Sequence, residues 1–156
     1  MRTVIITHLP HHPAEPGYTA FDFGLSDRND CVVRAFANVG VDTYPNLRDL
    51  FFRMGRKQYR GTPVTTTHDV AKMFGATYTA LGKSGQRREL YMSMMQCGAD
   101  DAESKGCTVG NVALRYPTGR HIVSVRGHVF ALINGRIIDT HVTAPRTRII
   151  GMYTFS

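Results

Sequence analysis

Apolar residues recur at the helical period in three stretches of the first half of this 156-residue chain. Val32, Ala35, Phe36 and Val39 fall on one helical face, Asn29 or Asp30 can cap the first turn, and Gly40 is a natural left-handed stop. Leu47, Leu50, Phe51 and Met54 stand at i, i+3, i+4 and i+7, which predicts a second helix over about Asn46 to Lys57 with Arg48, Arg53 and Arg56 turned to solvent. Thr66 with Asp69 three residues on reads as an approximate capping box, opening a third helix that continues through Val70, Met73 and Phe74 to Gly75. Shorter helices are predicted over Glu89 to Gln96 and Thr108 to Tyr116, the first rich in Met.

Elsewhere the pattern is that of strands. Thr3 to Thr7 (TVIIT) and Ala76 to Leu81 (ATYTAL) are short candidates, separated from later elements by the loops HLPHHPAEPG, RGTP, GKSGQRR and CGADDAESKGC. After Pro117 the period becomes two or the run becomes continuously apolar, in HIVSV, HVFALI, RIIDTHV and TRIIGMYTF. The expectation is therefore a single α+β domain over residues 1–156, with helices in the first two thirds and an antiparallel sheet in the last third.

One junction fixes a register. Asn134-Gly135 is the strongest short-range signal for a two-residue hairpin turn, and it sets Ile133 opposite Arg136. Counting back, Phe130 lies opposite Asp139 and His128 opposite His141, so these four side chains share one face and His128 and Asp139 are diagonal neighbours. At that spacing a carboxylate reaches an imidazole N–H, fixes the ring's orientation and stabilises its protonated form. His141 is a second-choice base on the same face.

Cys31 completes the constellation. In the first turn of a helix its thiolate is favoured by orphan backbone N–H groups and by the positive end of the dipole, and a nearby imidazolium favours it further. Those N–H groups, that of Cys31 included, can also hold an oxyanion, with Asn29 as the nearest candidate for a second donor. Cys31 as nucleophile, His128 as base and Asp139 as orienting carboxylate make a coherent acyl-transfer site that needs no cofactor. Arg34, one turn beyond Cys31, either lowers the thiol pKa or forms an ordinary salt bridge.

Composition narrows the alternatives. No apolar run approaches the roughly 18 residues of a membrane span, and the N-terminus lacks a signal-peptide pattern, so a cytoplasmic protein is expected. Three cysteines are too few and odd in number for a disulfide framework. Cys97 and Cys107, and the cluster His8, His11 and His12, match no compact zinc pattern, so no metal is expected. The net charge of +7 suits an acidic protein partner. The basic residues are scattered and lack aromatic interleaving, which disfavours nucleic acid.

The segments NDCVVRAFANVG and RGHVFALINGRIIDT, in the order Cys, His, Asp, resemble papain-like cysteine peptidases in their small bacterial and phage forms. The likeness runs from about Asp27 to Phe155. It is closest to small phage-encoded proteins that open on Asn-Asp-Cys-x-x-Arg-Ala, and looser to peptidase domains that process bacteriocin leaders. DRNDCVVRA is also similar to the Asp-Gly-Asn-Cys opening of ovarian-tumour deubiquitinases, with Asp30 as one extra residue, and this sets Asp27 and Asn29 near the oxyanion-supporting region. Where papain-like enzymes carry a Gln upstream of the nucleophile, this chain has Phe23, Gly24, Leu25 and Ser26. The resemblance implies a papain-like fold with the nucleophile helix packed on the sheet, and a thiol hydrolase acting on a protein or peptide substrate in a host cytoplasm. An inactive binding protein that engages a host factor, and an acyltransferase using the same triad, are the alternatives.

Overall fold

The computed structural model describes residues 17–81, 107–141 and 143–156. The predicted strand TVIIT, the predicted helix Glu89 to Gln96, the GKSGQRR loop, the N-terminal histidines and Cys97 lie outside the described residues. Within them the chain forms a 3-10 turn (Ala20–Phe23), helices α1 (Cys31–Asn38), α2 (Tyr44–Arg53) and α3 (Val64–Met73), and strand β1 (Thr77–Ala80). Helix α4 (Val109–Arg115) and strands β2 (Arg120–Val125), β3 (His128–Ile133), β4 (Arg136–Ile138) and β5 (Gly151–Phe155) follow. The class is α+β, and no described helix is long and apolar enough to cross a membrane.

The five strands form one antiparallel sheet in the order β1-β5-β2-β3-β4. Its C-terminal strands are as expected, but one edge is β1 from mid-chain, brought in by pairing with β5. Helical residues of α1, α2 and α3, among them Phe36, Leu47 and Phe51, bury one face against Ile122, Ala131 and Tyr153. Val109 and Val112 of α4 bury the other against Val123, Leu132 and Met152. Both faces are thus covered, which is why HIVSV and HVFALI are continuously apolar rather than alternating.

Three helix expectations need correction. α2 begins at Tyr44, two residues earlier than predicted, because Thr43 caps it through Asn46 N–H and Pro45 fits its first turn. It also ends at Arg53, and Arg56, expected in solvent, is only 2 % exposed. α3 opens at Val64 behind Pro63, so Thr66 is an internal residue and not a cap; its hydroxyl donates to the Met54 carbonyl. In α1, Asp30 occupies the cap position without capping: its carboxylate accepts from Tyr44 Oη (2.5 Å) and Arg34 Nε (3.0 Å).

Candidate active site

The hairpin forms as its sequence dictates. Asn134 and Gly135 take φ values of 49° and 77°, the two left-handed positions of a tight hairpin turn, and Ile133 pairs with Arg136, Leu132 with Ile137 and Ala131 with Ile138. Asp139 follows directly on β4. His128 Nε2 donates to Asp139 Oδ2 at 2.7 Å, while Asp139 Oδ1 accepts the His141 backbone N–H at 3.1 Å. The His141 ring meets that of His128 edge-on, with centroids 5.2 Å apart. His141 thus stands beside the pair as a ring neighbour.

With Nε2 given to the carboxylate, Nδ1 is the ring nitrogen left for Cys31, whose thiol pKa the His128 side chain lowers. The helix contributes in the expected way. The first intrahelical bond of α1 runs from Arg34 N to Asp30 O, so the N–H groups of Cys31, Val32 and Val33 precede the ladder and add a positive potential around the sulfur. Burial pushes the Cys31 thiol up, but the His128 hydrogen bond, the Val129 N–H and the charges of His128 and Arg34 outweigh it and bring its pKa below the ordinary value. Burial opposes protonation of His128, but the Asp139 carboxylate and Cys31 raise its pKa to about 9. Arg34 ties the two halves together, since its Nη1 donates to the Thr140 hydroxyl at 2.7 Å while its Nε holds Asp30.

The turn before Cys31 is held by a network that sequence reasoning missed. Asp27, whose side chain is fully buried, accepts two parallel bonds from Arg56 (2.9 Å each), one from Arg48 Nε (2.8 Å), and the backbone N–H groups of Arg28 and Tyr59 (2.9 Å each). Burial works against this charge, but the two guanidinium groups dominate and hold its carboxyl far below the usual carboxylate range. Arg56 also donates to the carbonyls of Arg28 and Arg60, so a single side chain joins the loop before Cys31 to the loop before α3. No short-range spacing signals this pairing. The resemblance drew attention to Asp27, but nothing pointed to Arg56.

Asn29 does not join Cys31, His128 and Asp139. It is exposed, its backbone is left-handed (φ 55°), and its Nδ2 donates to the Tyr59 carbonyl at 3.0 Å. The side chain expected to help hold an oxyanion is therefore spent on fastening the loop that leads to Gly61 and Thr62.

That loop walls a cavity of about 260 Å³ that Cys31 and His128 both line. Val32, Val64, Val129 and Ile150 make it largely apolar, and Thr62 and Tyr153 add hydroxyls. Its size is slightly below the roughly 300 to 1,000 Å³ of pockets that enclose whole small molecules, so it suits a side chain and its flanking backbone. Tyr153 is fixed by a 2.8 Å hydrogen bond between its hydroxyl and Nδ1 of the fully buried His68, whose pKa burial lowers to about 4, so the ring is neutral near pH 7. Such an arrangement can present a nucleophilic sulfur, a proton donor and a water-poor wall to one bound carbonyl. Comparison with protein-family models, with curated proteins and with solved structures finds no match to this chain.

Proposed function

We propose that this protein is a papain-like thiol hydrolase that cleaves a peptide, isopeptide or related amide bond through an acyl-enzyme. The observation that carries the reading is the Asp139–His128 hydrogen bond in a cavity that His128 and Cys31 line together, with His128 lowering the thiol pKa. The thiolate attacks the carbonyl carbon, a C–S bond forms and the carbonyl electron pair moves to oxygen. His128 Nδ1–H gives its proton to the leaving nitrogen as the C–N bond breaks, and a thioester remains on Cys31. Neutral His128 then takes a proton from water, the hydroxide displaces sulfur, and the acid product leaves. Asp139 stays ionised throughout and holds the ring with Nδ1 toward sulfur. The net charge of +7 favours an acidic protein or peptide substrate. Within the superfamily, the Asn-Asp-Cys opening favours the small phage-encoded forms, whose setting is a host cytoplasm.

The test is alkylation of Cys31 as a function of pH, read by peptide mass spectrometry with Cys97 and Cys107 as internal controls. The expected rate stays high well below the ordinary thiol pKa of about 8.5 and collapses in His128→Ala. A Cys31 that reacts no faster than the other two thiols overturns the reading. A peptide library cleaved by the wild type and not by Cys31→Ala then separates an enzyme from an inert binding protein of the same fold.

A further inference from the structure

An oxyanion formed at Cys31 needs donors, and the geometry narrows where they are. The Cys31 backbone N–H is one. The Asn29 amide is committed to the Tyr59 carbonyl. Thr62, three residues beyond Tyr59, lines the same cavity as Cys31 and His128, and its Oγ1 is buried without a hydrogen-bond partner among the described residues. A buried hydroxyl left unpaired is costly and uncommon in native structures; Thr62 lines the cavity while its Oγ1 is shut off from solvent, so a turn about its Cα–Cβ bond is what brings the hydroxyl to a partner that arrives with the substrate. The surrounding walls are largely apolar, with Val32, Val64 and Val129 offering hydrocarbon side chains, and the Thr67 and Tyr153 hydroxyls that also line them are already bonded, to the Pro63 carbonyl and to His68.

Resting on the thiol-hydrolase reading, we infer that Thr62 is a catalytic residue whose hydroxyl donates to the carbonyl oxygen of the acyl group as the C–S bond forms at Cys31, acting as the second oxyanion donor beside the Cys31 N–H. No proton is transferred in this role: the O–H remains on Thr62, and the bond shortens and strengthens as charge develops on the acyl oxygen. Asn29 acts one step removed. By holding the Tyr59 carbonyl it fixes the loop that presents Thr62, which makes Asn29 a positioning residue, and Asp27 and Arg56 fasten the same loop from the other side.

The assignment is tested on the full chain with two reagents that differ in one respect. A peptide aldehyde carrying an apolar side chain forms a hemithioacetal with Cys31, whose oxygen occupies the oxyanion position; iodoacetamide alkylates the same sulfur at a saturated carbon and creates no oxyanion. The hemithioacetal equilibrium is read by carbon-13 NMR of the labelled aldehyde carbon, and alkylation by peptide mass spectrometry. Thr62→Val, which keeps the shape and loses the hydroxyl, is expected to weaken the hemithioacetal at least about tenfold while leaving the iodoacetamide rate within about twofold of wild type. Thr62→Ser, which keeps the hydroxyl, is expected to restore binding. Equal aldehyde binding by Thr62→Val and wild type overturns the role, as does a Thr62→Ser as weak as Thr62→Val, or a wild type that forms no hemithioacetal. Thr62→Ala repeats the measurement should Thr62→Val fail to fold. An unactivated Cys31 in the iodoacetamide arm sinks the hydrolase reading itself, so the two failures are distinguishable.

Discussion

His128 and Asp139 are eleven residues apart on one hairpin, whereas the turn that carries Cys31 is fixed by side-chain bonds spanning 21 to 32 residues. The hairpin half carries its own instructions. A two-residue turn sets the register, the register sets the face, and the carboxylate then finds the imidazole. The helix half is organised by one buried carboxylate and two guanidinium groups, one of them as deeply buried as the carboxylate. The first half should tolerate changes elsewhere in the molecule, while the second should fail as a unit when one charge is removed. Arg34, bonded to both Asp30 and Thr140, joins them directly.

Removing the Asp27 charge should have the largest effect. Asp27→Ala leaves Arg56 buried without a counter-charge and is expected to cost about 3–5 kcal/mol, measured by urea unfolding. A loss below about 1 kcal/mol would show that water or another carboxylate replaces it, and the network would not be what holds the turn.

The two halves should also separate by pH. The Asp27 pKa is depressed by folding, so its stabilisation is present above the unfolded value of about 4 and is lost as pH falls below it. His68, at about 4 in the fold against about 6.5 unfolded, adds a loss that begins as pH falls through 6.5. The His128 pKa is raised to about 9, so its contribution is complete below about 6.5 and drains away as pH rises through 9. The lowered Cys31 pKa adds stability as pH rises over the same range and makes the alkaline limb shallower, so unfolding free energy against pH should fall steeply in acid and more gently in alkali. Asp139→Asn should flatten the alkaline limb alone and abolish acid-side alkylation of Cys31, whereas Asp27→Asn should flatten the limb below pH 4. A variant that moved the opposite limb would break the assignment.

Smaller effects sharpen the contrast. Gly135→Ala forces a side chain into a left-handed turn position (φ 77°) and should cost about 1–2 kcal/mol by thermal or urea unfolding. Because the added Cβ meets nothing closer than 3.4 Å, the register should survive, and Cys31 should keep its low-pH reactivity. Asp49→Ala, which removes an ion pair to Arg53 with both side chains about two-thirds exposed or more, should change stability by less than about 0.5 kcal/mol. A larger loss there would mean that surface charge on α2 matters as much as the buried charge beneath it.

The sequence by itself determined what depends on neighbours a few residues away. Helical spacing behind Asp30 placed Cys31 in a first turn, Gly40 closed that helix with φ 81°, and Asn134-Gly135 joined His128 to Asp139. The α+β class followed from the change of period along the chain. Tertiary structure decided the rest, because the relevant partners meet only after the chain has folded. The period of α2 predicts an exposed Arg56, but the helix ends at Arg53 and the side chain turns inward to a carboxylate 29 residues away. Thr66 and Asp69 have the spacing of a cap, but Pro63, whose fixed φ suits a helix entry, starts α3 earlier. Asn29 has the chemistry of an oxyanion donor, but a carbonyl 30 residues on takes its amide. Thr62 carries no local pattern at all; only the folded chain leaves its hydroxyl buried and without a partner among the described residues.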